Sequence, residues 1–490
     1  MKNKRMLAMF LAVVMLLSAL ASCATGDLQG EVGSDPSQTS TAENTEVEET
    51  DLTDDLPNDL DFNGDKIVFI SCDEMVYDDL TGDLVEDSVY ERNKIVEERL
   101  GVTISCILEP DAIDKVSLAV SSGSRDYDIM LDDCWQTAPK IVNNYFYDLR
   151  KTTYLDFDKT YWNQSFNEVM SYDGAQYAVT GAMTLSLYRN TFVTVFNKDL
   201  FTKANQTFLY EYVENGTWTL DKQASLIPLF HQDNGNGEQD VSGDIYGFIT
   251  NDFVYVDPYW ASCEIRILNK NGDGEYEWAF DVNKLHDMAD KVLNLFYGTD
   301  GAAYIVTEDA TCEGPVIEMF AAGSGAMATL LVNHLENGAV REMTQEYGVV
   351  PIPRYSETQD QYYSQMLDHF ALICMLTTVG EDRADMLSAV LEAMCSASYQ
   401  IMRPVYYETT LRTKLAKDPQ SAAMMDMIMN NIVIDPGFVY SHSMGSFHQG
   451  FQQLMASKQN DAVSRYKRMT TAAQRGLGSL LRQLDRMAQK

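Results

Sequence analysis

Short apolar runs and helical apolar spacings alternate along the first third of this chain. Lys66-Ile67-Val68-Phe69-Ile70, Val102-Thr103-Ile104-Ser105-Cys106-Ile107 and Tyr127-Asp128-Ile129-Met130-Leu131 have the length and bulk of buried strands. Between the first two, Val89, Ile95, Val96 and Leu100 recur at helical spacing from Ser88 onward, and Gly101 supplies a stop. A further helical stretch lies near 115–122. Strands alternating with helices predict an α/β domain with a mostly parallel sheet. Further on, Phe192-Val193-Thr194-Val195-Phe196 and Gly348-Val349-Val350-Pro351-Ile352-Pro353 read as extended pieces. The last third turns helical over 384–396, 420–432 and 463–489. No repeat period is apparent, and 490 residues are enough for two domains with sizeable cores.

Charge narrows the partners. Acids outnumber bases 73 to 36, a net charge of −37, so the body repels nucleic acid and anionic lipid, and a basic binding groove is a poor reading. The N-terminus runs the other way: Lys2, Lys4 and Arg5 precede an uncharged apolar run over 6–17 and then Leu20-Ala21-Ser22-Cys23. A basic start, a short apolar run and small residues at the cut make a secretory signal peptide over 1–22, and the run is too short for a confident membrane span. Leu-Ala-Ser-Cys resembles the lipobox of bacterial lipoproteins. That resemblance implies a lipidated Cys23 and a location at the extracellular face of the cell membrane, held there by acyl chains. Residues 24–61 carry twelve acids and no Lys or Arg, with few large apolar residues. Together with Cys23 they read as a disordered acidic tether, extended by its own charge.

The remaining cysteines, Cys72, Cys106, Cys134, Cys263, Cys312, Cys374 and Cys395, are odd in number, widely spaced and free of any CxxC. They read as small buried hydrophobes rather than a disulfide framework or a zinc site, with one disulfide left open. Gln232-Asp233-Asn234-Gly235-Asn236-Gly237-Glu238 has the core of a calcium loop. It lacks the acids that an EF-hand needs at its first and last positions, and Asn269-Lys270-Asn271-Gly272-Asp273-Gly274 fails in the same way. No metal or cofactor is assigned, and calcium near 233–244 stays open. HExxH, GxSxG and a Walker loop are all missing, so catalysis finds no marked residues. Seven bases, Arg465, Lys467, Arg468, Arg475, Arg482, Arg486 and Lys490, crowd the last helix. They read first as a solvated face, with contact to a membrane or a partner as the alternative; Gly476 and Gly478 weaken it as an amphipathic anchor.

Several segments, taken in order, carry a resemblance. Asn93-Lys94-Ile95-Val96-Glu97-Glu98-Arg99-Leu100-Gly101-Val102 and Arg125-Asp126-Tyr127-Asp128-Ile129-Met130 come first, followed by Tyr147-Asp148-Leu149. Gly174-Ala175-Gln176-Tyr177-Ala178-Val179 follows, with Thr180-Gly181 where a proline is common. Next are Val195-Phe196-Asn197-Lys198-Asp199-Leu200-Phe201 and Gly216-Thr217-Trp218-Thr219. Phe320-Ala321-Ala322-Gly323-Ser324-Gly325-Ala326-Met327 and Tyr347-Gly348-Val349-Val350-Pro351-Ile352-Pro353 close the series, with Pro404-Val405-Tyr406-Tyr407-Glu408 and Leu411 pointing to a subgroup. The set is similar to the extracellular solute-binding lipoproteins of ABC importers, family 1, the carbohydrate-uptake type. The resemblance implies a two-lobe, periplasmic-binding-protein-like (type II) α/β fold with a hinge, an interlobe cleft and a helical C-terminal part. It places lobe 1 at 62–187 plus 335–400 and lobe 2 at 188–334 plus 401–490.

The same resemblance implies a monomer that captures a small polar solute, an oligosaccharide first, and delivers it to the permease subunits of an ABC importer without chemistry. An extracellular glycan hydrolase and a ligand-binding lipoprotein serving a sensor are the alternatives. Sugar binding needs aromatic faces and a few fixed carboxylate, amide or guanidinium groups. Asp133 and Trp135 follow a strand end, where open α/β sheets place ligands. Arg189 lies near the first crossing between lobes, and Asp257, Tyr259 and Trp260 form the densest acid–aromatic cluster of the second lobe. Asp368 and His369 precede the apolar run 370–376. Each has a plain structural reading beside it: a packed Trp135, an ion-paired Arg189, core rings at 259 and 260, and a capped strand start at 368. Trp218 reads as structural.

Overall fold

The computed structural model describes residues 53–72, 77–239, 243–307, 313–406 and 419–489; the signal segment, Cys23, most of the acidic tether and Cys312 lie outside them. Eleven strands, β1 to β11, run in chain order among the described residues. Four of them, β1 (Asp65–Ser71), β2 (Val102–Leu108), β3 (Ile129–Asp133) and β11 (Ala371–Met375), make a sheet in the order β11-β3-β1-β2. β1 pairs in parallel with β2 and β3, whereas β11 runs antiparallel to β3. The inner strand β3 is buried on both faces, with Ile129, Met130 and Leu131 wholly buried, whereas edge strand β2 leaves Thr103, Ile107 and Leu108 exposed.

Helix Leu84–Leu100 starts four residues before the apolar spacing suggests, because Asp83 caps it by accepting from the backbone of Val85 and Glu86. It stops at Gly101, which is left-handed (φ 61°), and a Cβ there would meet Asp61 at 2.1 Å. Helix Glu381–Ala397 packs against it across the first sheet.

A second sheet holds β4 (Phe192–Asn197), β5 (Phe248–Asn251), β8 (Ala303–Val306), β9 (Met327–Leu331) and β10 (Tyr347–Val350) in the order β10-β4-β9-β5-β8. β6 (Leu268–Lys270) and β7 (Tyr276–Trp278) form a separate hairpin. Both large sheets belong to one compact unit, Glu48–Lys490. Trp218 is fully buried and donates its indole N–H to the Pro351 carbonyl at 2.8 Å, while Thr219 caps the helix that follows.

The chain returns to the first sheet later than residue 335. Tyr347–Val350 pairs with β4 in the second sheet, and only β11 rejoins the first. The reason lies in the ladder: Thr194–Asn197 has a free edge that β9 does not cover, and β10 fills it. C-terminal helix Pro419–Asn430 packs on β10, with Ser421 accepting the Val349 N–H at 3.1 Å. Helix Ala462–Ala488 lies against helix Val282–Tyr297 and also touches 138–143 of the first lobe. The six described cysteines are free, four of them buried. Among the described residues no helix is long and apolar enough to cross a membrane.

Glu392 ties the first lobe together from inside. It is 1% exposed and accepts from the Tyr161 hydroxyl, from Trp162 Nε1 at 3.0 Å and from the Asp156 backbone at 3.2 Å. Burial nevertheless pushes its carboxyl up to about 7. A carboxyl whose folded pKa is raised contributes stability below its unfolded pKa and loses it as pH climbs through the folded value. Urea unfolding at pH 5 and pH 8 should therefore show the native chain losing about 2–3 kcal/mol relative to Glu392→Gln, which cannot ionise. Parallel pH profiles of the two proteins would refute this account.

Candidate functional site at the lobe junction

Two crossing segments join the lobes side by side. Leu367 donates its N–H to the Asn190 carbonyl at 2.8 Å, Phe192 donates to Gln365 at 3.1 Å, and Thr191 bridges Met366. The Asn190 side chain adds a bond to the His369 carbonyl at 2.7 Å. Just beyond this ribbon, β3 and β11 end together. Cys134 and Trp135 extend their ladder by donating to the carbonyls of Phe370 and Asp368 at 2.9 and 3.0 Å. Register thus brings Asp133, Trp135, Asp368 and His369 to one place.

Asp133 caps the short helix Cys134–Thr137 and holds His369 Nδ1 at 2.6 Å. That bond raises the imidazole above its ordinary value. Asp368 has the His369 ring, at 3.9 Å, as its one ion partner among the described residues. Burial, with Asp133 nearby, lifts its carboxyl to about 6, against the pull of His369. Half-buried Trp135 does not pack onto its own helix. Its ring faces His442, from the C-terminal part of the chain, with centroids 3.8 Å apart.

From the opposite side comes the segment 257–266. Asp257 is buried, with both carboxylate oxygens held by the Gln452 amide at 2.9 and 3.1 Å. Burial and then Asp368 push its carboxyl well up. Trp260 is 1% exposed amid Phe280, Phe438, Phe451 and Tyr466, and its indole N–H has no hydrogen-bond partner. It shares a small cavity with Asp368, Gln365, Arg266, Asp435 and Phe438. The space is about 30 Å³, room for a water or two and not for a sugar ring. The lobes are drawn together here: Tyr276 donates to the Val169 carbonyl at 3.0 Å, and Lys270 reaches the Glu168 carbonyl at 2.6 Å and Ser171 at 2.7 Å.

Six of the eight residues singled out in the sequence converge on this junction: Asp133, Trp135, Asp257, Trp260, Asp368 and His369. The other two stand apart. Arg189 is engaged by Glu336 through two bonds, at 2.6 and 3.1 Å, and Tyr259 is sealed in the second-lobe core at 1% exposure. His442, Gln452, Phe438 and Arg266 are the residues sequence reading missed. Three of the four come from the helical C-terminal third, where no local pattern marks them. In the described part of the loop 233–244, Asp233 accepts from the Gly235 backbone at 2.6 Å and Asp244 from that of Asn234 at 2.9 Å. Among the described residues no group of three or more His, Cys, Asp or Glu side chains is placed to hold a metal.

The two tryptophans differ in what they hold up. Trp260→Ala should cost about 3–5 kcal/mol in urea unfolding, as for other fully buried aromatics. Trp135→Ala should cost clearly less, about 1–2 kcal/mol, since its ring is only partly buried. Equal losses would mean that Trp135 is a core residue.

No family model matches the sequence, and no curated protein matches it. Solved structures do. An ABC substrate-binding protein from Listeria monocytogenes, in complex with cycloalternan, is 14% identical and aligns over 85% of this chain and 99% of its own, with a TM-score of 0.54. UgpB from Mycobacterium tuberculosis, in complex with glycerophosphocholine, is 15% identical over 85% and 99%, with a TM-score of 0.56. The maltose/maltodextrin-binding domain MalE from Bdellovibrio bacteriovorus, bound to maltotriose, is 15% identical over 85% and 100%, with a TM-score of 0.53. The chain has the two-lobe, hinged α/β fold of ABC-importer solute-binding proteins.

Proposed function

We propose that the chain captures a small polar solute, an oligosaccharide first, between its lobes and presents it to the permease of an ABC importer. In this reading acyl chains on Cys23 hold it at the outer face of the cell membrane, and closure rather than bond chemistry is its work. The observation that carries the proposal is the junction cavity. An under-partnered carboxylate, Asp368, and an unpartnered indole N–H, Trp260, face the same space between two lobes. A buried indole N–H without a partner is costly unless a water or a hydroxyl-bearing ligand completes it, and Asp368 offers such a hydroxyl an acceptor in the same cavity. Trp135 supplies an aromatic face at the rim, where a sugar ring would displace His442.

Closure follows from differential affinity. A solute that touches Asp133 and Trp135 on one side and the 257–266 segment on the other stabilises only the state in which both are near. Three of the solved structures of this fold, described above, hold a cyclic glucan, a glycerophosphodiester and a maltooligosaccharide. All are polar, and two are glycans, which favours glycans as the first panel.

Isothermal titration of the mature chain against malto-, xylo- and cello-oligosaccharides should give one-to-one binding with the glycan recovered intact. Asp368→Asn and Trp135→Ala should each weaken it by about tenfold or more. Recovery of shortened glycan would replace capture with hydrolysis. Tight binding unaffected by either variant would move the site away from the junction.

A further inference from the structure

Helix Ala462–Ala488 is 27 residues long and uses one face to join the fold: Ala462, Tyr466, Ala473, Leu477, Leu480, Leu484 and Met487 are buried. Gly476 lies beside that face, where a Cβ would come within 2.1 Å of the Ser443 carbonyl. The glycine that weakened the helix as a free amphipathic anchor is therefore a close-packing contact. The apolar side is spent on the core, and the opposite side is what remains.

That outer side is a line of arginines. Arg468, Arg475 and Arg482 recur every seven residues, Arg486 continues them, and all four are exposed. At about 100° per residue the four lie within about 40° of one another and roughly opposite the buried line. They run for about 27 Å at 1.5 Å per residue. Arg468 is 3.9 Å from Asp461, and Arg475, Arg482 and Arg486 have no ion partner among the described residues. Asp485, the acid on this helix, is turned aside to accept from the Tyr172 hydroxyl at 2.7 Å. On a chain of net charge −37 this stripe is the exception.

We propose that the arginine stripe is a docking surface for an anionic phospholipid bilayer, along which the helix lies flat. Two features favour a lipid surface over a protein. The positions between the arginines, Thr471 and Ser479, are small and exposed, and Val463, at the very start, is the one large exposed apolar side chain on the helix. A protein interface takes most of its affinity from aromatic or apolar anchors, which this face lacks. A straight row of guanidinium groups instead matches a plane of phosphates, each basic group being attracted over a Debye length of about 8–10 Å. Repulsion from acids elsewhere on the body is screened by salt beyond about 8–10 Å. The stripe would thus fix which way the lobes face when the protein sits near a membrane, an orientation that acyl chains on a long tether cannot supply.

The test uses the mature chain from residue 24 on, prepared without lipid, so that its outcome is independent of Cys23. It is co-sedimented with vesicles of equimolar phosphatidylglycerol and phosphatidylcholine, and with vesicles of phosphatidylcholine alone. In about 50 mM salt, partition into the anionic vesicles should exceed the neutral ones by about tenfold or more, and about 500 mM salt should abolish the difference. The combined variant Arg468→Gln, Arg475→Gln, Arg482→Gln, Arg486→Gln should fall to the neutral level with an unchanged melting temperature. Lys115→Gln with Lys203→Gln, exposed cations elsewhere, should behave as the native chain. Equal partition into both vesicles, binding to neither, or full binding by the arginine variant would each overturn the proposal.

Discussion

The pairing of two crossing segments underlies the rest of the junction. Asn190 and Phe192 bond Leu367 and Gln365, and this short ribbon is where the chain passes between sheets. Because the ribbon continues into β11, its register decides which residues stand opposite the end of β3. A slip of one residue would turn Asp368 and His369 to the other face and separate His369 from Asp133. The hinge and the site are therefore one construction. The same ribbon lets the lobes move by rotating a few backbone torsions, without breaking either core.

Electrostatics at the junction is set by crowding rather than by net charge. Asp133, Asp257 and Asp368 gather where few cations reach: His369 stands against Asp133 and Asp368, and Arg266 lines the cavity that Asp368 shares. Each carboxyl answers differently. Asp133 is satisfied by a ring nitrogen and a helix start, Asp257 by a buried amide, and Asp368 has only the distant His369 ring as an ion partner among the described residues, while burial lifts its carboxyl to about 6. Graded satisfaction of this kind marks Asp368 as the group with most to gain from a ligand.

Much of this was legible in the chain because local rules governed it. The strands at 65–71, 102–108 and 129–133 and the stop at Gly101 follow from apolar runs and one left-handed glycine, and strand-end chemistry pointed to Asp133 and Trp135. The assignment of 335–400 to the first lobe failed over Tyr347–Val350, since a four-residue strand carries no mark of which sheet edge it will fill. Tyr259 and Trp260 are neighbours with the same aromatic content, yet one is locked in the second-lobe core and the other lines the cavity. Helix Pro258–Ser262 turns consecutive rings about 100° apart, and only tertiary packing decides which faces inward. His442 and Gln452 reach the site from a distance of some three hundred residues from Asp133, beyond the reach of any local pattern.

The closed junction bears on affinity as well as on access. His442 covers the face of Trp135, and the β6–β7 hairpin holds the loop at 168–171 through Lys270 and Tyr276. These contacts belong to the chain itself, so under the proposed function a solute would have to displace some and wait for others to part. Its apparent affinity is the intrinsic one scaled by the fraction of open molecules. Groups that make weak contacts in the closed state lower this cost. His442 is held neutral by burial, and a neutral ring leaves Trp135 without abandoning a salt bridge. The Asp368 carboxylate and the Trp260 indole N–H, by contrast, have no strong polar partner to leave. The junction is thus weakly self-satisfied where a solute would bind and firmly bonded at its edge, a division that lets closure be reversible while keeping the two lobes in register.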